Sequence, residues 1–129
     1  MLNSTGGFRF YSGKNGEDNK KISIINYNDL INIKGYLIIN TTPVGMFPKI
    51  YDSAVNKEVI KNFEVVVDLV YNPMKTKFLQ FAKEEGKVAI GGLLMLVGQA
   101  VKSQSIFNDK EISNELINYI YDDLSKEFK

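Results

Sequence analysis

The stretch Phe63-Glu64-Val65-Val66-Val67-Asp68-Leu69-Val70 constrains the fold of this chain more than any other. It is short, rich in β-branched side chains and almost continuously apolar, the pattern of a strand buried on both faces of a parallel sheet. Tyr71 stands just past the strand. Asn72-Pro73 then predicts a helix start, with Asn72 as the cap and Pro73 at the first helical position, where its missing N–H costs nothing. Strand, short loop and capped helix form half of a βαβ unit, and in open α/β sheets ligands bind at the carboxyl ends of the strands. Tyr71 would lie at that rim.

The rest of the chain repeats the alternation. Phe8 to Ser12 and Ile22 to Ile25 read as short strands, separated by a polar segment that offers no core-packing helix. Asn28 to Asn32 can form one helical turn, Tyr36 to Asn40 a third strand, and Lys57 to Lys61 a short helix before the central strand. Met74 to Glu85 predicts a helix with Phe78, Leu79 and Ala82 on one face and Gly86 as its stop. Lys87 to Ile90 is a fifth strand, and Gly91-Gly92 opens a long helix ending near Phe107. A last helix, at about residues 109–128, is predicted to start in a capping box from Asn108 to Glu111. Ile112, Leu116, Ile120, Leu124 and Phe128 would form its packing stripe. Strands alternating with helices indicate an α/β layered fold with a mainly parallel sheet.

Several function classes are excluded by what the chain lacks. It has no His and no Cys, so Ser-His-Asp triads, Cys-His pairs, disulfides and imidazole metal sites cannot form within it. Acid–base work would fall to Lys, Tyr, Asp or Glu. Sixteen Lys and Arg against fifteen Asp and Glu, with no long basic run, give no expectation of nucleic-acid or membrane-surface binding. No signal-peptide pattern and no bilayer-length apolar run stand in the sequence, so the expected location is the cytoplasm. With 129 residues, 44% of them hydrophobic, one domain with a core is expected.

Three stretches could carry chemistry. At about 100° per residue, Gly92, Met95 and Gln99 share one stripe of the long helix, opposite Leu93, Leu96, Val97, Ala100 and Val101. A close backbone approach, a soft apolar contact and a two-sided amide suit a ligand cleft, although spacing alone favours Gln99 as a solvated amide and Met95 as a gap-filler. Asn40-Thr41-Thr42-Pro43-Val44-Gly45-Met46 follows a strand with hydroxyls and a tight turn, suited to touching phosphate or ribose or simply to turning the chain. Tyr71 is the third, and such a residue by itself is most often a half-buried aromatic with its hydroxyl in solvent.

Together, these motifs closely resemble the C-terminal half of shikimate dehydrogenase. The stretches are Asn40-Thr41-Thr42-Pro43-Val44-Gly45-Met46, then Asp68-Leu69-Val70-Tyr71-Asn72-Pro73 with Thr76 and Leu79, then Gly92-Leu93-Leu94-Met95-Leu96-Val97-Gly98-Gln99-Ala100. The resemblance runs from about Ile22 to the end. It implies a three-layer Rossmann-like domain, a single partial dinucleotide-binding unit over residues 1–129. It also implies hydride transfer between NADP and the pair 3-dehydroshikimate and shikimate in aromatic amino-acid biosynthesis. Asn40, Thr41 and Thr42 would line the cofactor cleft, with Thr42 in direct contact. Leu69, Gly92 and Met95 would border the nicotinamide, and Tyr71 and Gln99 would reach the substrate.

The sequence also departs from the family. The first strand of the cofactor domain, its Gly-rich loop and the helix behind it have no counterpart, and no G-x-G-x-x-G stands anywhere in the chain. The family's acid–base Lys and Asp belong to an N-terminal domain that these residues do not include. Where the family carries an Arg for the 2′-phosphate, Ser12-Gly13-Lys14-Asn15 leaves Lys14 as the substitute. Losing two charge-assisted hydrogen bonds of roughly 1.5–3 kcal/mol each weakens binding on the order of a hundredfold or more. The chain alone is therefore expected to bind NADP weakly and not to turn over shikimate. Three readings follow: a dehydrogenase part active with its missing half, a non-catalytic binding module that docks or dimerises through the exposed sheet edge, or a decayed product without activity.

Overall fold

The computed structural model describes residues 8–12 and 21–128. Strands β3 (Gly35–Asn40), β4 (Phe63–Asp68) and β5 (Val88–Ile90) form one parallel sheet in that order. Helix α1 (Lys57–Ile60) connects β3 to β4, and α2 (Lys77–Glu84) connects β4 to β5. The register sets Leu37 beside Val65 and Val88, and Ile39 beside Val67 and Ile90.

Strands β1 (Phe8–Ser12) and β2 (Lys21–Ile25) pair with each other, antiparallel, in a separate two-stranded sheet. The five expected strands thus form two sheets. The spacing explains the division: eight residues separate Ser12 from Lys21, too few for a parallel crossover of about a dozen or more.

One face of the parallel sheet is the core. Ile38 and Val66 project from it against Val59 and Ile60 of α1 and Phe78, Leu79 and Ala82 of α2. Leu30, from the 3-10 helix Tyr27–Asn32, completes this cluster. Asn56 caps α1 by accepting from the Val59 N–H at 3.1 Å. Gly86, at φ +68°, ends α2 in the left-handed region that favours glycine.

Helix α2 starts at Lys77, and its cap is Thr76. Asn72-Pro73 belongs to the preceding loop. The reason is tertiary: the Thr76 hydroxyl accepts from the Leu79 N–H and donates to the buried carboxylate of Asp68, a partner that Asn72 does not have.

The second face of β4 is not covered as expected. Its neighbours Leu37, Ile39, Val88 and Ile90 are exposed, so helices close the sheet on one face and leave the other largely open. A second cluster forms where α3 (Leu93–Asn108) meets α4 (Asn114–Leu124), with Leu93, Val97 and Val101 packed against Ile117, Ile120, Tyr121 and Leu124. Ser113, rather than Asn108, caps α4. Asp109 is left-handed at φ +48° and Lys110 N–H bonds back to the Ser105 carbonyl, so those residues finish α3 before another helix can start. The packing stripe consequently runs through Ile117 and Tyr121, and Leu116 is exposed.

Candidate functional site at the carboxyl ends of the strands

Parallel pairing places Asn40, the last residue of β3, beside Asp68, the last of β4. Both side chains are buried. Asn40 Nδ2 donates to Asp68 Oδ1 at 3.0 Å and to the Val44 carbonyl at 3.2 Å. Its Oδ1 accepts from the Thr42 N–H at 3.0 Å and from the Thr42 hydroxyl at 2.7 Å. Asn40 thus uses its full amide capacity to fold the loop after β3 onto the end of β4.

Asp68 anchors the other side of this network. Its Oδ1 also accepts from the Val70 N–H at 3.0 Å, and its Oδ2 accepts from the Thr76 hydroxyl at 2.5 Å. Burial pushes the Asp68 carboxyl above its ordinary pKa, and the hydrogen bonds from Thr76, Val70 and Asn40 oppose that rise. Among the described residues no buried side-chain polar atom lacks a partner.

The loop after β4 is tied on both sides. Leu69 N–H donates to the Asn40 carbonyl at 3.0 Å, and Gly92 N–H donates to the Val70 carbonyl at 3.3 Å. Gly92 lies so close that a Cβ there would stand 2.2 Å from the Leu69 carbonyl oxygen. Only glycine lets the start of α3 approach β4 this way. Asn40, Leu69 and Gly92, drawn from three separate stretches, are thereby linked through the backbone at one rim.

The remaining sequence-predicted residues differ in their surroundings. Met95 and Gln99 are exposed on α3, and Tyr71 is partly exposed with its ring edge-on to Phe128, centroids 5.6 Å apart. Thr41 is exposed, whereas the Thr42 hydroxyl faces inward, donating to Asn40 and accepting from the Val44 N–H at 3.3 Å. Lys14 lies outside the described residues. The supporting pair Asp68 and Thr76 is absent from the expected site set; the available signal was an acid at the end of an apolar strand with a hydroxyl residue at the next helix start.

A cleft of about 590 Å³ opens between α2, the end of β5 and α4, lined by Met74, Leu79, Ala89, Gly92, Tyr121 and Phe128 among others. Among the described residues of the predicted site only Gly92 lines it, so the cleft and the rim share a wall without coinciding. No group of His, Cys, Asp and Glu among the described residues could hold a metal ion. No described helix is long and apolar enough to cross a membrane.

No family model matches the sequence. The shikimate dehydrogenase (NADP(+)) of Clostridium beijerinckii is 39% identical over 121 residues, which is 94% of this chain and 45% of that protein. The solved chorismate mutase/shikimate 5-dehydrogenase fusion protein from Clostridium acetobutylicum is 46% identical with a TM-score of 0.77, covering 79% of this chain and 38% of that one. Shikimate dehydrogenase 1 from Peptoclostridium difficile is 48% identical with a TM-score of 0.73, covering 81% of this chain and 40% of that one. The chain therefore spans less than half the length of these relatives. A mainly parallel α/β sheet and a sequence that matches along almost all of this chain agree: the chain is similar to part of the shikimate dehydrogenases, and its partial span fits their C-terminal half.

Proposed function

We propose that this chain is the cofactor-side part of a shikimate dehydrogenase, a single partial dinucleotide-binding unit that works in NADP-dependent interconversion of 3-dehydroshikimate and shikimate when joined by an N-terminal half. The observation that carries the reading is the linkage of Asn40, Leu69 and Gly92 across the carboxyl ends of β3 and β4 and the start of α3, the part of an α/β sheet where ligands bind.

The residues present fit the nicotinamide end of the cofactor. Gly92, whose missing Cβ leaves room for the Leu69 carbonyl, sets the start of α3 against Leu69, with Met95 one turn further on. Asn40 shapes the loop in which Thr41 faces outward, so Thr41 and the backbone around Thr42 are the contacts this reading assigns to the cofactor. Tyr71 and Gln99 are assigned to the substrate. NADPH, when bound, supplies the hydride; the protein supplies orientation. The proton donor would come from the N-terminal half. Lys14 is assigned to the phosphate end, where the sequence lacks a Gly-rich turn, and binding by this chain alone is accordingly weak.

The test is a fluorescence titration of the purified chain with NADPH, with and without shikimate, repeated after adding the N-terminal remainder of the C. beijerinckii relative. Weak, shikimate-responsive binding that strengthens on that addition, with turnover appearing only then, is the expected result. No binding at millimolar NADPH in either arm would overturn it and favour a non-catalytic binding module, the reading supported by the open sheet face.

A further inference from the structure

The cleft between α2, the end of β5 and α4 is a second concavity, apart from the rim to which the proposed function assigns cofactor and substrate. At about 590 Å³ it falls within the roughly 300–1,000 Å³ of small-molecule pockets. Contacts distant in the chain hold its walls. The Met74 N–H donates to the Phe128 carbonyl at 3.5 Å, and the Phe128 ring meets Tyr71 edge-on, which ties the segment after α4 to the loop after β4. On the other side, a Cβ at Gly91 would stand 3.5 Å from Leu79 Cδ1, ordinary van der Waals distance, so the end of β5 sits close against α2. The concavity is therefore built into the fold.

Its lining joins an apolar body to one sign of charge. Met74, Leu79, Leu93, Tyr121 and Phe128 supply a thioether, two branched aliphatic side chains and two aromatic rings, surfaces against which a flat ring packs well. The charged residues of the lining are Lys75 and Lys83, with no Asp or Glu among them. Both are exposed, and neither forms an ion pair among the described residues. The acids that follow Lys83 in the chain, Glu84 and Glu85, are both engaged by Lys57. The other polar groups of the lining bond within the protein: Gln80 Nε2 donates to the Lys75 carbonyl at 2.9 Å, and the Ser125 hydroxyl to the Asp122 carbonyl at 2.8 Å.

A cleft with low-dielectric walls and charge of one sign concentrates the opposite charge. The lining has no Arg, the side chain whose fork suits bidentate phosphate contact, and separate ammonium groups act instead as point charges. We infer that this cleft is a binding site for an aryl carboxylate, its ring packed among Leu79, Tyr121 and Phe128 and its carboxylate drawn to the exposed Lys75 and Lys83. Bounded by α2, the end of β5 and α4, it suits a small molecule better than the flat surface of a protein. The site goes beyond the proposed function, since filling it requires neither NADPH nor a second polypeptide.

The experiment titrates the purified, isotope-labelled chain with 2-naphthoate and follows its backbone amide resonances, with 2-naphthylmethanol as the same ring without the charge. Saturable one-to-one binding of 2-naphthoate is expected, with shifts concentrated at residues 74–83, 89–93 and 121–128. Its affinity should exceed that of the alcohol by about tenfold, the combined effect of two exposed charge contacts. Lys75→Gln combined with Lys83→Gln, at exposed positions without ion pairs and so compatible with the fold by circular dichroism, should bring the acid down to the affinity of the alcohol. Ser125→Trp, which adds a ring to the lining and leaves both lysines in place, should abolish binding of both probes. Shifts centred on the open sheet face at residues 37–39 and 65–67 would overturn the inference. Equal affinity for acid and alcohol, binding unchanged in the paired glutamine variant or in Ser125→Trp, or no saturation at millimolar 2-naphthoate would overturn it too.

Discussion

The Thr76 hydroxyl donates to Asp68 Oδ2 at 2.5 Å while accepting from the Leu79 N–H, so one side chain both caps α2 and neutralises part of a buried carboxylate's need for partners. Strand β4 and helix α2 are joined through this oxygen. Thr76→Val keeps the shape and removes both bonds. The expected loss is about 1.5–3 kcal/mol for the bond to the carboxylate plus roughly 1 kcal/mol for the cap, read as a lower urea midpoint. Thr76→Ser should retain most of the stability.

Asp68 should give stability an unusual pH dependence. Burial raises its folded-state pKa above the ordinary 3.8, so the folded state holds the proton more tightly than the unfolded chain. The resulting stabilisation is fully present below the ordinary value and is lost as pH rises through the raised folded value. Asp68→Asn removes this titration. Urea midpoints of the two proteins between pH 3.5 and 7 should show the advantage of the parent chain shrinking as pH rises; an advantage that grows would mean that the hydrogen bonds outweigh burial.

Two glycines of the same region predict opposite outcomes. Gly92→Ala drives a methyl into the Leu69 carbonyl, and overpacking of this kind costs about 1–3 kcal/mol. Gly98, inside α3, has nothing within 4 Å of an added Cβ. Gly98→Ala should therefore stabilise by roughly 0.5–1 kcal/mol through helix propensity alone. Thermal unfolding of the pair checks both signs in one experiment.

Asn40→Ala removes the acceptor of the Thr42 N–H and hydroxyl and one donor to Asp68. Leaving such buried groups without partners costs about 1–3 kcal/mol each, and the loop over residues 41–46 should exchange its amide hydrogens faster. Thr41→Ala, at an exposed position one residue away, should change stability by no more than about 0.5 kcal/mol. If NADPH binding falls for Thr41→Ala with stability unchanged, the outward threonine is the cofactor contact.

The features legible in the sequence were those set by local pattern. Strands β3, β4 and β5 showed as apolar runs, and Phe78, Leu79 and Ala82 gave the buried face of α2 by spacing. What escaped was decided by partners distant in the chain. Asn72-Pro73 carries a good local helix-start signal, but Thr76 takes the cap because Asp68 stands beside it in space. A run such as Val65-Val66-Val67 reads the same whether one face or two are covered, so the open face was invisible. The inward turn of Thr42 depends on Asn40 being buried, which spacing does not reveal. At the rim, the motifs name Asn40, Leu69 and Gly92 in three separate stretches, while the backbone contacts that link them needed the fold.

The two borders of the parallel sheet are unequal. β3 offers six residues without charge, whereas β5 has only three, begins beside Lys87 in its ion pair with Glu64, and turns at once through Gly91-Gly92 into α3. A strand that joins the parallel sheet therefore finds a longer ladder at β3 than at β5, and this inequality of the two borders disfavours the repeated head-to-tail addition through one sheet that a fibre requires.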